Sequence, residues 1–385
     1  MAKYDFWGIG RVSATSKDVN LARLAMHIAT DWVPTSPTSV ANGLTALLDE
    51  VLETAPFWNG DHWLTREPVR AFERQWRGVT SYAVGVSFCV ETFLDLGYTW
   101  WAPVSFWKHN QAGNMPFLWW SPIFNALQCE IRPDASNPSR LMPDFVLARR
   151  HHNGGFEIAF AEAKGRTWSL QNCHTCPNDW QSQSRNAIFR LSGNVIVPAQ
   201  NMVVATRIQP RGVRTGTRKL QVRAWNNSTQ PTPIPTAAAR EILLLHYAGI
   251  CAKLGMRNTA KLLAHAPLRA RQQQMERQGS RQSSGRGFGE LLDMARSERA
   301  EIPLRSNTVP EMISTEGAVF PIGEIRLRIG FSRAAAYMLD ALAHWDVRKI
   351  DHLTEKLAHE AEHIGRAEDD RLFYRNDGVV AAVED

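Results

Sequence analysis

Residues 142–165 limit most strongly what this chain can fold into, because two apolar segments there flank a polar turn rich in glycine. The sequence of the stretch is MPDFVLARRHHNGGFEIAFAEAKG. A turn of this kind between strand-forming residues predicts a β-hairpin. We expect its first arm over residues 143–147, its turn over residues 151–155 and its second arm over residues 156–164.

The pairing register of this hairpin determines which side chains share a face. Residues two apart in a strand point to the same side, so Glu162 and Lys164 lie together. A turn centred on Asn153 places Asp144 directly opposite Glu162, with Cβ atoms roughly 5 Å apart. A register shifted by one residue would move Asp144 to the other face. We therefore predict a loop with an odd number of residues and a glycine in the left-handed conformation.

Two carboxylates at that distance repel each other unless a cation lies between them. A hard divalent ion such as Mg²⁺ suits them because it binds carboxylates, carbonyls and water. Such an ion can hold a phosphate oxygen and acidify a bound water. Lys164 beside it can orient the water or stabilise the charge that develops on a phosphate. The residue types therefore favour metal-dependent phosphate chemistry over an ordinary Glu–Lys pair on a surface hairpin.

The dipeptide Pro143-Asp144, followed on the next strand by Glu162-Ala163-Lys164, resembles the motif of the PD-(D/E)xK nuclease superfamily. The resemblance implies an α/β protein with a restriction-endonuclease-like core, a central mixed sheet flanked by helices. It also implies hydrolysis of phosphodiester bonds with Mg²⁺ or Mn²⁺, most simply in DNA, with RNA an open alternative. Restriction, phage defence and DNA repair are settings in which such enzymes act.

The same resemblance assigns roles to the hairpin residues. Asp144, Glu162 and the carbonyl of Ala163 are expected to hold the metal, and Lys164 is expected to act on the attacking water. A protein that keeps this fold and binds nucleic acid without cleaving it is the alternative, and the intact acidic and basic residues argue against it.

Two helices next to the hairpin carry further candidates by the same resemblance. Members of the superfamily often have a glutamine on the helix after the hairpin, which we predict over residues 180–191. Gln183 is our first choice for that role and Gln181 the second. A glutamate on the helix before the first strand corresponds to Glu91, on a helix predicted over residues 79–96.

The remaining chain is divided by its composition. Residues 1–75 are predicted to be a mainly helical N-terminal region, and residues 76–228 the nuclease core with an edge strand over 220–225. A proline-rich linker over residues 230–235 then precedes a mainly helical C-terminal region over 236–385, with a hairpin near 310–331.

Charge is unevenly placed along a chain whose formal net charge is +6. Between residues 180 and 240 there is no Asp or Glu, which suggests a polyanion partner such as nucleic acid rather than a merely solvated basic face. The predicted phosphate contacts are Arg207, Arg211, Arg214, Arg218, Lys219 and Arg223.

The sequence has no apolar run long enough for a membrane span and begins without the apolar segment of a signal peptide. Its five scattered cysteines indicate a reducing compartment rather than a disulfide framework. We therefore expect a cytoplasmic protein without membrane contact, acting as a homodimer or with a partner subunit in a larger complex.

Two short motifs raise the alternative of zinc. Residues 359–363, HEAEH, match the His-Glu-x-x-His pattern and resemble the zincin metalloproteases. Glu362 departs from that family, because its helices have an apolar residue there, and the sequence offers no clear third ligand. Cys173 and Cys176 form half of a zinc site, with His151 and His152 as the candidate partners at an unusual spacing.

Overall fold

The computed structural model describes most of the chain. The described residues are 2–19, 21–31, 74–107, 127–137, 139, 141–166, 170–207, 220–277, 286–304, 311–315, 318–322, 325–364 and 371–384.

The described residues form an α/β structure with sixteen strands in three sheets and eight α-helices. The strands are β1 (Ala2–Trp7), β2 (Thr15–Val19), β3 (Trp100–Pro103), β4 (Cys129–Arg132), β5 (Phe145–Arg150), β6 (Phe156–Arg166), β7 (Ile188–Leu191), β8 (Asn194–Ile196), β9 (Gln200–Arg207), β10 (Leu220–Ser228), β11 (Ala300–Pro303), β12 (Glu311–Ser314), β13 (Val319–Ile322), β14 (Ile325–Phe331), β15 (Leu372–Tyr374) and β16 (Val379–Glu384). The helices are α1 (Leu21–Asp31), α2 (Arg74–Asp95), α3 (Asn178–Ser184), α4 (Thr236–Lys253), α5 (Arg257–Arg277), α6 (Arg286–Ser297), α7 (Arg333–Ala343) and α8 (Val347–Ile364). None of these described helices is long and apolar enough to cross a bilayer.

A mixed seven-stranded sheet organises the fold, in the order β2-β1-β10-β9-β6-β5-β3. The hairpin β5–β6 is antiparallel, and β6 pairs with β9 in parallel. β6 is therefore an interior strand, which explains why its residues from Phe156 to Ala163 are buried. A smaller sheet, β4-β7-β8, lies apart from this order.

The predicted register of the central hairpin is confirmed. Phe145 pairs with Ala161 and Arg150 with Phe156, so the next position along places Asp144 opposite Glu162. The loop spans residues 151–155, and Gly154 and Gly155 have φ values of 88° and 72°. These left-handed conformations are ones that glycine adopts without steric cost, which is why the turn needs them.

Helices cover both faces of the central sheet. Phe93 of α2 packs against Phe145, with ring centroids 5.8 Å apart, so α2 lies on the face that carries Ala161. The small residues allow a close approach, because a Cβ added to Gly85 would lie 3.3 Å from the backbone nitrogen of Gly165. On the other face, Tyr247 of α4 bonds to the indole of Trp100 at 3.3 Å.

The N-terminal prediction is wrong for residues 2–19, which form β1 and β2 rather than helices. β1 pairs in parallel with β10 and extends the central sheet. β10 is consequently an interior strand and not the predicted edge strand. The remaining N-terminal residues, apart from α1 and the start of α2, lie outside the described residues.

The C-terminal half combines helices with a second sheet, in the order β11-β12-β14-β16-β15, with β13 paired to β14. The hairpin predicted near residues 310–331 is confirmed by β13 and β14. The predicted linker is partly fixed, because Ile234 and Phe156 exchange two backbone hydrogen bonds of 2.8 Å. One continuous apolar core contains residues of both halves, including Phe156, Leu245 and Leu339.

A buried polar network also joins the two halves. His246 of α4 lies 2.6 Å from a carboxylate oxygen of Asp377 through Nε2. Arg375 bonds to Asp377 and, at 2.6 Å, to Asp31 of α1. All four side chains are almost inaccessible to solvent, and each charge is compensated by a partner, as buried charges must be.

Candidate active site at the end of the central hairpin

Asp144 stands directly before β5 and is fixed by the neighbouring strand. Its Oδ2 accepts a hydrogen bond from the backbone N–H of Ala163 at 2.9 Å. This contact holds the carboxylate beside β6, at the register position opposite Glu162. The sequence prediction that these two residues lie side by side on one face is consistent with this register and with the effect of Asp144 on the pKa of Glu162, which it raises.

Glu162 is a buried carboxylate with an unusual environment. Its side chain is only 2% exposed, and its Oε2 has no hydrogen-bond partner among the described residues. Burial raises the pKa of Glu162 well above its ordinary value, Asp144 raises it further, and Lys164 opposes both effects. The ionised form of Glu162 therefore needs more positive charge than Lys164 alone supplies.

Lys164 connects β6 to the short helix α3. Its ammonium group forms an ion pair with Glu162 Oε1 and donates to Gln183 Oε1, with 2.8 Å between Nζ and the amide oxygen. Gln183 Nε2 donates in turn to the carbonyl of Met142 at 3.2 Å. The amide of Gln183 therefore ties the lysine to the segment that carries Asp144.

Helix α3 is shorter than predicted. It ends at Ser184, and residues 188–191 of the predicted helix form β7 instead. Gln183 is buried and faces the hairpin. Gln181 is half-buried and bonds through its backbone, because its N–H donates to the carbonyl of Pro177 and its carbonyl accepts from Arg185 N and Ser184 Oγ. Of the two glutamines that the sequence offered, the structure brings Gln183 to the site.

The residues at this site can supply some of the ligands that a divalent cation needs. Two carboxylates adjoin each other, one of them buried with an orphaned oxygen, and oxygen ligands of this kind are those that Mg²⁺ binds. Within the described part of the chain, no group of three or more His, Cys, Asp or Glu side chains could hold a metal ion. The remaining ligands at this site would therefore come from water and from a backbone carbonyl such as that of Ala163.

Glu91 does not join this cluster. It is buried on α2, and its carboxylate contacts His27 Nε2 at 2.8 Å and Arg23 Nε at 2.7 Å, both on α1. Burial alone would raise the pKa of Glu91, but His27 and Arg23 outweigh it and lower the pKa to about 2. The glutamate therefore has a structural partner in α1, which corrects its assignment as a site residue.

The predicted phosphate contacts divide into three groups. Arg223 is 3% exposed and donates to the carbonyls of Leu170 and Gln171 at 2.7 and 3.0 Å, so its assignment to the substrate surface is wrong. Arg207 is half-buried and bonds to Gln221 at 3.3 Å. The remaining four lie outside the described residues: Arg211, Arg214, Arg218 and Lys219.

The two zinc candidates have other surroundings. His359 and His363 are exposed on α8 with ring centroids 4.5 Å apart, and Glu360 accepts from Tyr374 Oη at 3.0 Å. Cys173 and Cys176 are free thiols, and burial raises the pKa of each. No third ligand for either pair is found within the ranges that the structure describes.

The sequence interpretation missed Arg166, the last residue of β6. Alternation along the strand places it on the same face as Glu162 and Lys164, so the pattern alone could have identified it. Its guanidinium carbon lies 4.6 Å from the ring centroid of Trp180, on α3.

Comparison of the chain with protein-family models, with curated proteins and with solved structures gives no match.

Proposed function

We propose that this chain is a metal-dependent nuclease of the PD-(D/E)xK type, with a restriction-endonuclease-like core that hydrolyses phosphodiester bonds in DNA. One observation carries the proposal: Lys164 lies between Glu162 and Gln183 at the point where Asp144 faces β6. These are the residue types that the sequence motif assigns to the chemistry, and a single hairpin with one short helix brings them together.

The environment of Glu162 supports a functional role over a purely structural one. A buried carboxylate beside a second carboxylate costs folding free energy unless a cation compensates it. Because Glu162 Oε2 has no hydrogen-bond partner among the described residues, Lys164 and the surrounding backbone do not fully offset the free energy cost of burying this carboxylate. Buried carboxyl groups whose pKa is shifted by a neighbouring carboxylate are concentrated at active sites, where a ligand completes the site.

Each residue has a distinct task in the proposed reaction. Asp144 and Glu162 hold Mg²⁺ or Mn²⁺, which when bound polarises a phosphate oxygen and supplies a reactive water. Lys164 holds a proton on Nζ and directs it at the water or at the negative charge on the phosphate. Gln183 keeps the ammonium group in place through the 2.8 Å hydrogen bond.

The test is cleavage of supercoiled plasmid DNA by the purified protein with Mg²⁺, with Mn²⁺ and with EDTA. We expect metal-dependent nicking or linearisation that Lys164→Ala abolishes. Lys349→Ala is the matched control, because the Lys349 side chain is exposed on α8, where its ammonium group lies 3.8 Å from Asp346 Oδ2. An RNA substrate and casein are tested in parallel.

The outcomes separate the alternatives. Metal-dependent cleavage of RNA alone would change the substrate class but keep the chemistry. Binding of DNA in Ca²⁺ without cleavage in Mg²⁺ or Mn²⁺ would indicate a non-cleaving module. Digestion of casein that depends on zinc would contradict the proposal and favour the residues of α8.

A further inference from the structure

Arg166 lies on the same face of β6 as Glu162 and Lys164, and its guanidinium stacks on an aromatic ring. It follows Lys164 by two residues on β6, and its guanidinium carbon lies 4.6 Å from the ring centroid of Trp180. Its Nε is buried without a hydrogen-bond partner among the described residues. Stacking on an aromatic face does not use the N–H donors of an arginine, which bind anions.

Helix α3 positions both cations of β6. Gln183 bonds to Lys164 and Trp180 packs under Arg166, and residues three apart lie on neighbouring positions of one helix face. Trp180 is itself 3% exposed and packs edge-on against Trp225, with centroids 6.0 Å apart. The support under Arg166 is therefore rigid, as a binding side chain requires.

A second arginine adjoins Arg166 on the neighbouring strand. In the parallel register of β6 and β9, Arg166 is the partner of Arg207. Like charges on paired strand positions destabilise a sheet unless an anion lies between them. The end of the β6–β9 pair thus carries two arginines at paired positions, directly beyond Lys164.

We propose that Arg166, together with Arg207, binds the backbone phosphate adjacent to the scissile phosphate of the nucleic acid strand. The inference rests on the proposed function, because it takes Lys164 as the marker of the reacting phosphate. Residues two apart in a strand are separated by roughly 6.6 Å, which is comparable to the distance between successive phosphates of one strand. Arginine suits this contact because its planar donors bind phosphate in a bidentate manner.

The test uses p-nitrophenyl esters, whose leaving group fixes which phosphate reacts. Thymidine 5′-(p-nitrophenyl phosphate) has one phosphate, and its 3′-phosphomethyl ester adds a second. The corresponding pair with the ester at the 3′ position and the methyl phosphate at the 5′ position covers the opposite polarity. For one polarity we expect the second phosphate to raise kcat/KM of the wild-type protein by about tenfold.

In Arg166→Ala this ratio should fall to about one, and in Arg166→Lys it should be intermediate. Arg326→Ala is the matched control and should keep the wild-type ratio, because Arg326 is an exposed strand arginine of the second sheet. A wild-type ratio retained in Arg166→Ala, or a wild-type ratio of one for both polarities, would overturn the inference. Should Arg166→Ala fail to fold by circular dichroism, the lysine variant decides the question in the same way.

Failure of the proposed function has a different signature. If the wild-type protein hydrolyses none of the four esters, affinities for the one-phosphate and two-phosphate compounds are measured by competition in Ca²⁺. A second-phosphate gain that disappears in Arg166→Ala would then support the phosphate subsite on a non-cleaving protein. Equal affinities for the two compounds would exclude the subsite as well.

Discussion

Lys164 Nζ and Gln183 Oε1 are joined by a hydrogen bond of 2.8 Å, although one lies in the central sheet and the other on a helix outside it. The same amide donates to the carbonyl of Met142, directly before Pro143 and Asp144. One glutamine side chain therefore connects the lysine to the chain segment that bears the first carboxylate. We regard Gln183 as a positioning residue, because it acts on the proposed chemistry through Lys164.

Replacement of Gln183 by alanine should lower kcat roughly 10- to 100-fold and leave KM nearly unchanged, since supporting contacts of this kind have such effects. The measurement is steady-state cleavage of a fluorescent oligonucleotide in Mg²⁺. Gln181→Ala is the matched control on the same helix and should behave like the wild-type protein. A loss confined to KM would mean that Gln183 binds substrate instead of positioning the lysine.

Replacement of Asp144 by asparagine should stabilise the metal-free protein by roughly 1 kcal/mol, because it removes the repulsion of Glu162. The amide oxygen can still accept the hydrogen bond from Ala163. The wild-type protein should gain stability with increasing Mg²⁺ or Mn²⁺, as a ligand of the folded state requires, and the variant should not. Thermal unfolding in EDTA and in a metal series measures both effects.

Two results would contradict this expectation. A variant that is less stable than the wild-type protein in EDTA would mean that Asp144 has mainly a structural role. An equal response of both proteins to metal would place any cation site elsewhere in the chain.

The central hairpin could be predicted from sequence because its determinants are local. Turn glycines, alternating residues and an odd loop together fix the register, and the register brings Asp144 beside Glu162. The carboxylates and the lysine of the candidate site could therefore be predicted from one short stretch of sequence. Gln183 could be predicted only as one of two candidates, since the sequence does not specify which residue of α3 faces the strand.

Features that depend on distant partners could not be predicted in the same way. Along the chain, β1 is the first strand of the central sheet and β10 is the last. Neither sequence predicts that these two strands pair in parallel. The Arg223 guanidinium donates its hydrogen bonds to the carbonyls of Leu170 and Gln171. Because these partners are backbone atoms, the absence of acidic residues in the sequence nearby does not reveal that Arg223 is buried. The network of Asp31, His246 and Arg375 likewise requires the folded chain.

The His-Glu-x-x-His segment provides a prediction about zinc. His359→Ala should leave nucleic acid cleavage at the wild-type rate, because His359 is exposed on α8 and Glu360 is engaged by Tyr374. Zinc content measured by elemental analysis should be below one equivalent in both proteins. One equivalent of zinc that is lost in the variant, accompanied by loss of casein digestion, would support the protease alternative.

The buried network predicts how stability depends on acid. Burial alone would raise the pKa of Asp377, but Arg375 and His246 outweigh it and lower the pKa to about 2. The folded-state pKa is thus below the unfolded value, so Asp377 contributes stability at neutral pH that is lost as pH falls from about 4 to about 2. The contribution is roughly 2 kcal/mol.

Urea unfolding of the wild-type protein and of Asp377→Asn between pH 7 and pH 2.5 tests this expectation. The variant should be less stable at pH 7, and the difference between the two proteins should narrow below pH 4. Glu384→Gln is a matched control, because Glu384 pairs with Arg328 at a partly exposed position. A constant difference across the series would mean that Asp377 titrates normally.

Residues 180–240 contain arginines but no Asp or Glu. Arginines there that contact phosphate can be distinguished by substitution from those that stabilise the fold. Replacing Arg214 and Arg218 together by alanine should reduce the slope of log affinity against log salt by roughly one unit per lost contact, because each phosphate contact releases counterions. Arg223→Ala should leave that slope unchanged and lower the free energy of unfolding by about 1–3 kcal/mol, since it removes hydrogen bonds from a buried guanidinium to the carbonyls of Leu170 and Gln171. Fluorescence anisotropy with Ca²⁺ in place of Mg²⁺ measures the first effect, and urea unfolding the second. A flattened slope in Arg223→Ala with wild-type stability would reverse the assignment, and an unchanged slope in the double variant would leave Arg166 and Arg207 as the cations that meet the backbone.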